Sequence, residues 1–449
     1  MVSKVELFFK RILPSPFSIA ILLTISTLLI GQYITKYNMI ELLGFWETGL
    51  WNAGLMNFAM QMMLMLVLGY VIALSEPFER LIYNITRLCT NNANAAFFVS
   101  ISTIIVSLLN WGLGLIFGAI LARKVGEHAK RHNINLNYPL IGACGYSGLM
   151  VWHGGLSGSI PLKISEEGHF AEIIQNPNIL DRLPANGISF DTTVMSHMNI
   201  TVSILLIILI PTILYFIGKY DSRNNTVILK KEPLKDTAIY IHGADRIDHS
   251  LIFGKLIGLT IIYIAIRKGI IINSFELINP NFINLTLLGL TLVLHKNIYS
   301  FLKAINNAIS SASGILIQFP LYFGIMGIMN SSGLVDIFSN FFINIANENT
   351  FPIYTMLSGG LVNIFVPSGG GQWAVQGPII LQSAMEIGVS IPKSIMALVY
   401  GDQLTNMLQP FWALPLLGIT ELKAKELLPY TLLIMCIGFV IFLSCLIIF

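Results

Sequence analysis

Four short segments mix glycine with small polar side chains inside otherwise apolar stretches of the chain. They are residues 110–114, 153–159, 367–373 and 401–410. Glycine permits tight turns and close approach of another backbone. A turn that leads into a helix exposes N–H groups at the locally positive helix N-terminus, which suits an anion such as a carboxylate. These four breaks are therefore the candidate binding segments.

The candidate substrate-binding residues are glycines and polar or indole side chains at the breaks. They are Asn110, Trp111, Gly112, Ser157, Gly158, Ser159, Ser368, Gly369, Gly370, Gln372, Thr405 and Asn406. Small residues in a membrane helix also serve close helix packing, so packing and binding both stay open for the two serines of 157–159. The tryptophans are either interfacial anchors or a cavity wall.

Three further side chains are candidates for holding a coupling ion: Asp402, His153 and Gln409. An ionisable residue within a membrane span is costly and indicates function. Asp402 either binds the ion or organises the break, and His153 is either structural or a proton carrier, because the pKa of histidine lies near neutrality. The coupling ion is H⁺ or Na⁺. We expect no cofactor, no metal centre and no catalytic residue, since HExxH, GxSxG and Walker-type motifs are absent from the sequence.

The composition shows which kind of protein must position these breaks. Of 449 residues, 55% are apolar and 11% are charged, whereas soluble chains carry about 25% charged residues. This excludes a soluble enzyme, a disordered chain and a nucleic-acid-binding domain. The net charge of +3 indicates no polyanionic partner, and the four cysteines show no metal-binding or disulfide spacing. The composition predicts an all-α polytopic membrane protein.

Stretches of about 20 apolar residues predict membrane spans. They are residues 15–35, 49–74, 198–218, 250–266, 282–301, 305–329 and 428–449. The first is a span rather than a signal peptide, since no small-residue cleavage site follows it. Two regions are apolar but interrupted: 95–122 followed by 138–162, and 352–384 followed by 391–419. Together they give about nine full or broken spans.

Charge asymmetry predicts the orientation of the spans. Basic residues concentrate in 123–131, 219–248 and 421–426, while 163–191 is mainly acidic. The positive-inside rule places the basic segments and the N-terminus in the cytoplasm, and the C-terminus outside. Region 95–122 then enters and leaves on one face, as does 352–384, so both are predicted to be re-entrant hairpins.

The order of these elements predicts an internal repeat. Each half contains a hairpin, then a broken span whose prolines lie 22 residues apart (Pro139 and Pro161) or 23 apart (Pro392 and Pro415). Residues 1–218 form the first repeat, 219–249 a cytoplasmic linker, and 250–449 an extra span followed by the second repeat. An odd extra span inverts the second repeat, a common transporter architecture.

The segments 139–148, 152–159, 366–373 and 401–406 resemble the bacterial short-chain fatty acid transporter family, over nearly the whole chain. The resemblance implies uptake of acetoacetate, butyrate and similar acids. It also implies the ion transporter superfamily, with an inverted repeat, two re-entrant hairpins, a homodimeric scaffold, elevator-like movement and a location in the bacterial inner membrane. The Ser-Asn-Thr tip motif of that superfamily's sodium sites is absent, and Asn110 and Ser368 stand at the tips instead.

The favoured function is therefore ion-coupled uptake of a short-chain monocarboxylate, because the four breaks carry no Lys or Arg for a second carboxylate. The expected partners are this carboxylate, the lipid bilayer and a second copy of the chain, with no nucleic acid. The alternative is a sodium-coupled di- or tricarboxylate carrier of the same superfamily. An intramembrane enzyme and a channel are less favoured.

Overall fold

A computed structural model of the chain describes residues 16–165, 167–174, 177–221, 243–272, 280–367 and 369–449. Within these ranges the protein is helical and contains no β-strand element. The basic N-terminal residues before 16, most of the predicted linker (222–242) and the candidate Ser368 lie outside the described residues. The prediction of an all-α protein is confirmed for the described part.

Six helices cover the chain up to the end of the first hairpin. They are α1 (Pro16–Ile34), α2 (Met39–Leu50), α3 (Ala53–Ala73), α4 (Glu76–Thr86), α5 (Asn92–Leu109) and α6 (Trp111–Arg131). Asparagine side chains cap the N-termini of four of them: Asn38 caps α2, Asn52 caps α3, Asn91 caps α5 and Asn110 caps α6. Each supplies an acceptor to an N–H group that has no partner within its helix.

The first broken span follows, and then a long helix ends the first half. Its pieces are α7 (Tyr138–Tyr146), a 3-10 turn (Ser147–Met150), a loop, and α8 (Ser159–Ile164). Next come α9 (His169–Ile173), α10 (Pro177–Leu180), a 3-10 turn (Phe190–Thr192) and α11 (His197–Tyr220). The break falls where glycines at 154, 155 and 158 replace the side chains that would continue a packed helix.

The second half also contains a hairpin followed by a broken span. It contains α12 (Asp245–Asp248), α13 (Phe253–Ile272), α14 (Pro280–Leu294), α15 (Ile298–Ala308), a 3-10 turn (Ile309–Ala312), α16 (Ser313–Ser331) and α17 (Leu334–Ile343). The hairpin α18 (Phe351–Phe365) and α19 (Gly369–Ile387) follows. The broken span is α20 (Ile391–Thr405), a 3-10 turn (Asn406–Leu408) and α21 (Pro410–Thr420), before α22 (Ala424–Ile448).

Several predicted boundaries need correction. The span 282–301 is wrong, because the helix ends at Leu294 and Asn297 caps a new helix through Ser300. The first hairpin is longer than 95–122, since its arms run from residue 92 to 131 around Asn110. With 18 and 21 residues, these arms measure about 27 and 32 Å at 1.5 Å per residue. Each arm is thus long enough to cross the hydrocarbon core of a bilayer, about 30 Å thick, so length does not distinguish a re-entrant hairpin from two spans. The re-entrant character of this region stays a prediction.

Four helices in the described ranges are long and apolar enough to cross a membrane: Phe17–Ile34, Asn92–Leu109, His197–Tyr220 and Ala424–Ile448. A bent pair, Met39–Asn57 with Ala59–Ile72, gives a fifth if it is one span. The chain therefore has several apolar helices, as predicted. The figure of nine spans and the inverted orientation of the two halves stay predictions.

Each hairpin contacts the broken span of the other half of the chain through its second arm. The second arm of the first hairpin, α6, packs on α21 of the second broken span, and the second arm of the second hairpin, α19, packs on α8 of the first. The first arms pack within their own halves, α5 on α11 and α18 on α20. This arrangement brings both hairpin tips to the two breaks.

Candidate functional site

The two ionisable candidates face each other across the two broken spans. His153 lies in the loop of the first span and Asp402 near the end of α20. His153 Nε2 is 3.1 Å from Asp402 Oδ1, and the side chains are 0% and 1% exposed. The Nδ1 of the histidine and the Oδ2 of the aspartate have no hydrogen-bond partner in the described part of the chain. The two ionisable coupling candidates thus form one buried pair, and each side chain keeps one atom without a hydrogen-bond partner among the described residues.

A network of amides holds the second break around this pair. The two hydrogens of Asn363 Nδ2 are shared among three acceptors, the Asp402 carbonyl at 2.9 Å, Thr405 Oγ1 at 2.9 Å and Asn406 Oδ1 at 2.8 Å. Asn406 Nδ2 in turn donates to Asp402 Oδ1 at 3.1 Å. Gln409 Nε2 donates to the carbonyl of Asn363 at 2.6 Å. Thr405, Asn406 and Gln409, each a candidate from the sequence, are therefore brought together with Asp402.

Asn363 was missed by sequence reasoning. It is an amide inside the apolar helix α18, fully buried, three residues before Val366. The sequence signal was its position just ahead of the glycine-rich tip, in a helix otherwise short of polar side chains. Its carbonyl oxygen Oδ1 has no partner among the described residues.

The tip of the second hairpin lies on the ionisable pair. A Cβ added to Gly369 would lie 2.4 Å from Cε1 and 2.7 Å from Nε2 of His153, so only glycine fits there. Gly370, by contrast, is exposed and would meet nothing within 4 Å. Ser368, the candidate beside them, lies outside the described residues.

Gln372 lies between the arms of the second hairpin. Its Nε2 donates to the Gly359 carbonyl at 2.8 Å and to Gln376 Oε1 at 2.6 Å, so it cross-links α18 and α19. The indole Nε1 of Trp373 donates to Nε2 of the buried His169 at 2.9 Å. These contacts attach the second hairpin to itself and to α9.

The tip of the first hairpin is fixed to the first broken span. Leu113 N donates to Asn110 Oδ1 at 2.9 Å, which caps α6, and Trp111 N donates to Ser157 Oγ at 2.9 Å. A Cβ on Gly112 would lie 2.4 Å from Met65 Sδ, so this glycine permits close packing against α3.

The two remaining candidates lie where the loop of the first broken span ends. A Cβ on Gly158 would lie 2.3 Å from the His153 carbonyl oxygen, so a side chain there would collide with the turn that holds His153. Ser159 begins α8 and is partly exposed.

Three tryptophans join three of the four breaks. The rings of Trp111 and Trp152 stack with centroids 4.5 Å apart, and Trp412 meets them edge-on at 5.3 and 4.7 Å. Trp152 also stacks on His153 at 4.5 Å. Trp152 and Trp412 were missed as site residues, since a tryptophan in an apolar stretch carries no distinguishing signal by itself.

Several buried polar atoms near the two hairpin tips have no hydrogen-bond partner in the part of the chain that the structure describes, and their chemical type differs between the tips. Within the described ranges they include two N–H donors near the first tip, Asn110 Nδ2 and Trp152 Nε1. Near the second tip they include four oxygens: Asn363 Oδ1, Gln372 Oε1, Asp402 Oδ2 and Gln409 Oε1. A buried polar group left unpaired costs about 1–3 kcal/mol, so a site that carries several of them favours ligands that pair with them.

The amide orientations behind this pattern follow from their partners. The Nδ2 of Asn363 and the Nε2 groups of Gln372 and Gln409 each donate to a backbone carbonyl, which only the NH₂ end of an amide can do. Asn110 Oδ1 accepts from a backbone N–H, which only the oxygen end can do. The first tip therefore offers donors and the second offers acceptors.

Comparison with known proteins assigns the chain to a family. A family model described as "Short chain fatty acid transporter" matches residues 1–449. A protein of Escherichia coli K12, provisionally named a short-chain fatty acid transporter, is 35% identical over 97% of this chain and 96% of its own. A protein of Haemophilus influenzae with the same provisional name is 33% identical over 96% of each chain.

Among solved structures, the YdaH transporter of Alcanivorax borkumensis is similar to this chain. It is 15% identical, with 97% of this chain and 98% of that chain covered and a TM-score of 0.44.

Proposed function

The chain belongs to the short chain fatty acid transporter family and is a membrane transporter rather than an enzyme, and from this premise we propose that it takes up short-chain monocarboxylates of the butyrate or acetoacetate type. Uptake is by secondary transport coupled to an ion. The names of the two relatives, which refer to short-chain fatty acids, support the substrate class.

One observation carries the proposal: the unpaired buried donors and acceptors at the meeting point of the four breaks. A carboxylate accepts hydrogen bonds only, so it pairs with the donors of Asn110 and Trp152. A cation pairs with the oxygens of Asp402, Asn363 and Gln409. A site with both kinds of unpaired atom suits the joint binding of an acid anion and a coupling cation.

The coupling site in this proposal is the pair of His153 and Asp402. Either H⁺ or Na⁺ fits it: the imidazole and carboxylate can share a proton, and the unpaired oxygens around Asp402 can ligate Na⁺. Because both side chains are almost fully buried, ion exchange with either side of the membrane needs the covering tip at Gly369 to move.

Alternating access follows from this occlusion. In the proposed cycle the two repeats are inverted in the bacterial inner membrane, the hairpins and broken spans move together as an elevator, and the remaining helices form the scaffold of a homodimer. The packing of each hairpin's second arm on the other half's broken span supports a joint movement, since α6 with α21 and α19 with α8 link all four elements.

Uptake by the purified full-length chain in proteoliposomes tests the proposal. Labelled butyrate and succinate are compared under an imposed Na⁺ gradient and, separately, an imposed pH gradient, with protein-free liposomes measuring passive entry of the protonated acid. We expect saturable butyrate uptake driven by one of the two gradients. Saturable uptake of succinate but not of butyrate would establish the di- or tricarboxylate alternative instead.

A further inference from the structure

Several hydrogen-bond donors without a partner in the described ranges lie together at the first hairpin tip. Asn110 is 7% exposed and Trp152 is 2% exposed, yet Asn110 Nδ2 and Trp152 Nε1 have no hydrogen-bond partner among the described residues. Both adjoin Trp111: Asn110 precedes it in the chain, and the Trp152 ring stacks on its ring at 4.5 Å. The two unpaired donors therefore belong to one small cluster.

A third donor lies in the same cluster. Ser157 Oγ accepts from Trp111 N at 2.9 Å and is 3% exposed. A hydroxyl both donates and accepts, so this bond leaves the hydroxyl hydrogen of Ser157 available to an acceptor. The cluster also lies at the first turn of α6, where helix N–H groups make the local potential positive.

From this arrangement we propose that the first hairpin tip is the carboxylate subsite, with Asn110 Nδ2, Trp152 Nε1 and the Ser157 hydroxyl donating to the two oxygens of the acid. The subsite rests on the proposed function, because it assigns to particular atoms the anion whose transport is proposed there. The chemical class of ligand is a monocarboxylate without a second charged group.

The rings of the cluster supply the rest of the subsite. Trp111, Trp152 and Trp412 are buried and contact one another, so their faces are an apolar surface beside the donors. A short alkyl chain gains about 0.8 kcal/mol for each methylene it buries against such a surface. Because the three rings already touch, a chain of more than a few carbons would have to separate them, which favours short acids.

The subsite is separate from the ionisable pair. Trp152 stacks between Trp111 and His153, and Asp402 contacts the far partner, His153. The tryptophan layer thus separates the bound carboxylate from the carboxylate of Asp402, which would otherwise repel it.

Two near-isosteric substitutions test the assignment. Asn110→Asp keeps the oxygen that caps α6 and replaces the donating NH₂ with an acceptor, and Trp152→Phe keeps an aromatic ring but removes the N–H. Matched controls are Asn91→Asp, because Asn91 is exposed and caps α5 in the same way, and Trp51→Phe, because Trp51 is 64% exposed. Size-exclusion profiles and melting temperatures identify any variant that fails to fold.

The readouts are the KM for butyrate in proteoliposomes and inhibition by butyramide, its neutral counterpart. We expect Asn110→Asp to raise the KM about 10- to 100-fold, the range for loss of a hydrogen bond to a charged group. Trp152→Phe should raise it about 10-fold, and both should reduce the preference for butyrate over butyramide, while the controls keep wild-type values. If Asn110→Asp does not fold, Trp152→Phe decides the test.

Wild-type KM and wild-type preference in the folded variants would overturn the subsite. If the wild-type protein carries succinate and not butyrate, the proposed substrate class fails, and the subsite is judged on the KM for succinate in the same variants. A raised KM there would support the carboxylate subsite, and an unchanged KM would overturn it as well.

Discussion

Replacing Asp402 by asparagine is the sharpest test of how uptake is driven. The substitution keeps the size of the side chain and one oxygen that can accept from His153 and Asn406, at the positions where the native oxygen lies 3.1 Å from each partner. It removes the only acidic residue within the four breaks. The expected result is a folded protein that exchanges substrate across the membrane but no longer accumulates it.

The expected loss of accumulation follows from the proposal that the Asp402 carboxylate binds one cation. A 100-fold cation gradient supplies about 2.8 kcal/mol for each cation carried, since every tenfold ratio corresponds to about 1.4 kcal/mol. In electroneutral symport this supports an accumulation ratio approaching 100, and the ratio falls to about 1 when the cation is not bound. Loss of one partner of a buried charge pair costs about 3–5 kcal/mol, enough to empty the cation site at ordinary concentrations.

The assay separates coupling from simple damage. Butyrate accumulation under an imposed cation gradient is measured beside counterflow, in which internal unlabelled butyrate exchanges with external labelled butyrate without a gradient. Asp402→Asn should abolish accumulation and keep counterflow, whereas Asp336→Asn, at the exposed first turn of α17, should change neither. Full accumulation by Asp402→Asn would refute the coupling role. Loss of both activities in a folded protein would assign Asp402 to the architecture of the break.

Two further substitutions test the packing around the site. Gly369→Ala should reduce uptake at least tenfold, because its Cβ would lie 2.4 Å from the His153 ring. Gly370→Ala, which has open space around it, should transport like wild type. Initial rates of uptake compare the two variants, and equal rates would contradict the close approach of the tip to His153. Arg123→Lys should lower the melting temperature, because Nη1 donates to Glu421 at 3.1 Å and to the Ile419 carbonyl of α21 at 2.7 Å while Nε donates to Glu127 at 3.0 Å. The single nitrogen of an ammonium group cannot occupy both donor positions. An unchanged melting temperature would show that these links add no stability.

The breaks could be located from sequence because glycine and proline act locally. Asn110 ends one helix and caps the next, as its place in the middle of an apolar region predicted. The prolines at 139 and 392 each stand in the first turn of a broken span, where a missing N–H costs nothing. Such signals involve only a few neighbouring residues, so they can be recognised in the sequence without knowledge of the fold.

Helix ends marked only by a short polar interruption between two apolar stretches were not located in the same way. The predicted span 282–301 crosses the end of α14 and the start of α15, because leucine and isoleucine continue on both sides of the break. Three polar residues, His295, Lys296 and Asn297, separate the two helices, but an interruption this short was absorbed into the predicted span. Within this triplet the new helix is started by Asn297, whose side-chain oxygen accepts from Ser300 N at 2.9 Å.

The partners within the site also needed three-dimensional information. The sequence predicted His153 and Asp402 as separate candidates, but their contact joins residues 249 positions apart. Asn363 was missed because its importance comes from what it contacts: its amide holds the Asp402 carbonyl, Thr405 and Asn406 at once. A lone asparagine in an apolar helix does not carry that information.

The division of unpaired atoms between the tips explains how a site without Lys or Arg can handle an anion. Neutral donors at Asn110 and Trp152 can hold a carboxylate without the permanent positive charge that would trap it, because each hydrogen bond is weak enough to be exchanged for water. In the proposed cycle the negative charge of the substrate is balanced only when a cation occupies the unpaired oxygens around Asp402. Carriage of a net charge through an apolar interior is costly. In the proposed cycle the loaded pair therefore crosses more readily than either ion alone, and this difference would couple the two movements.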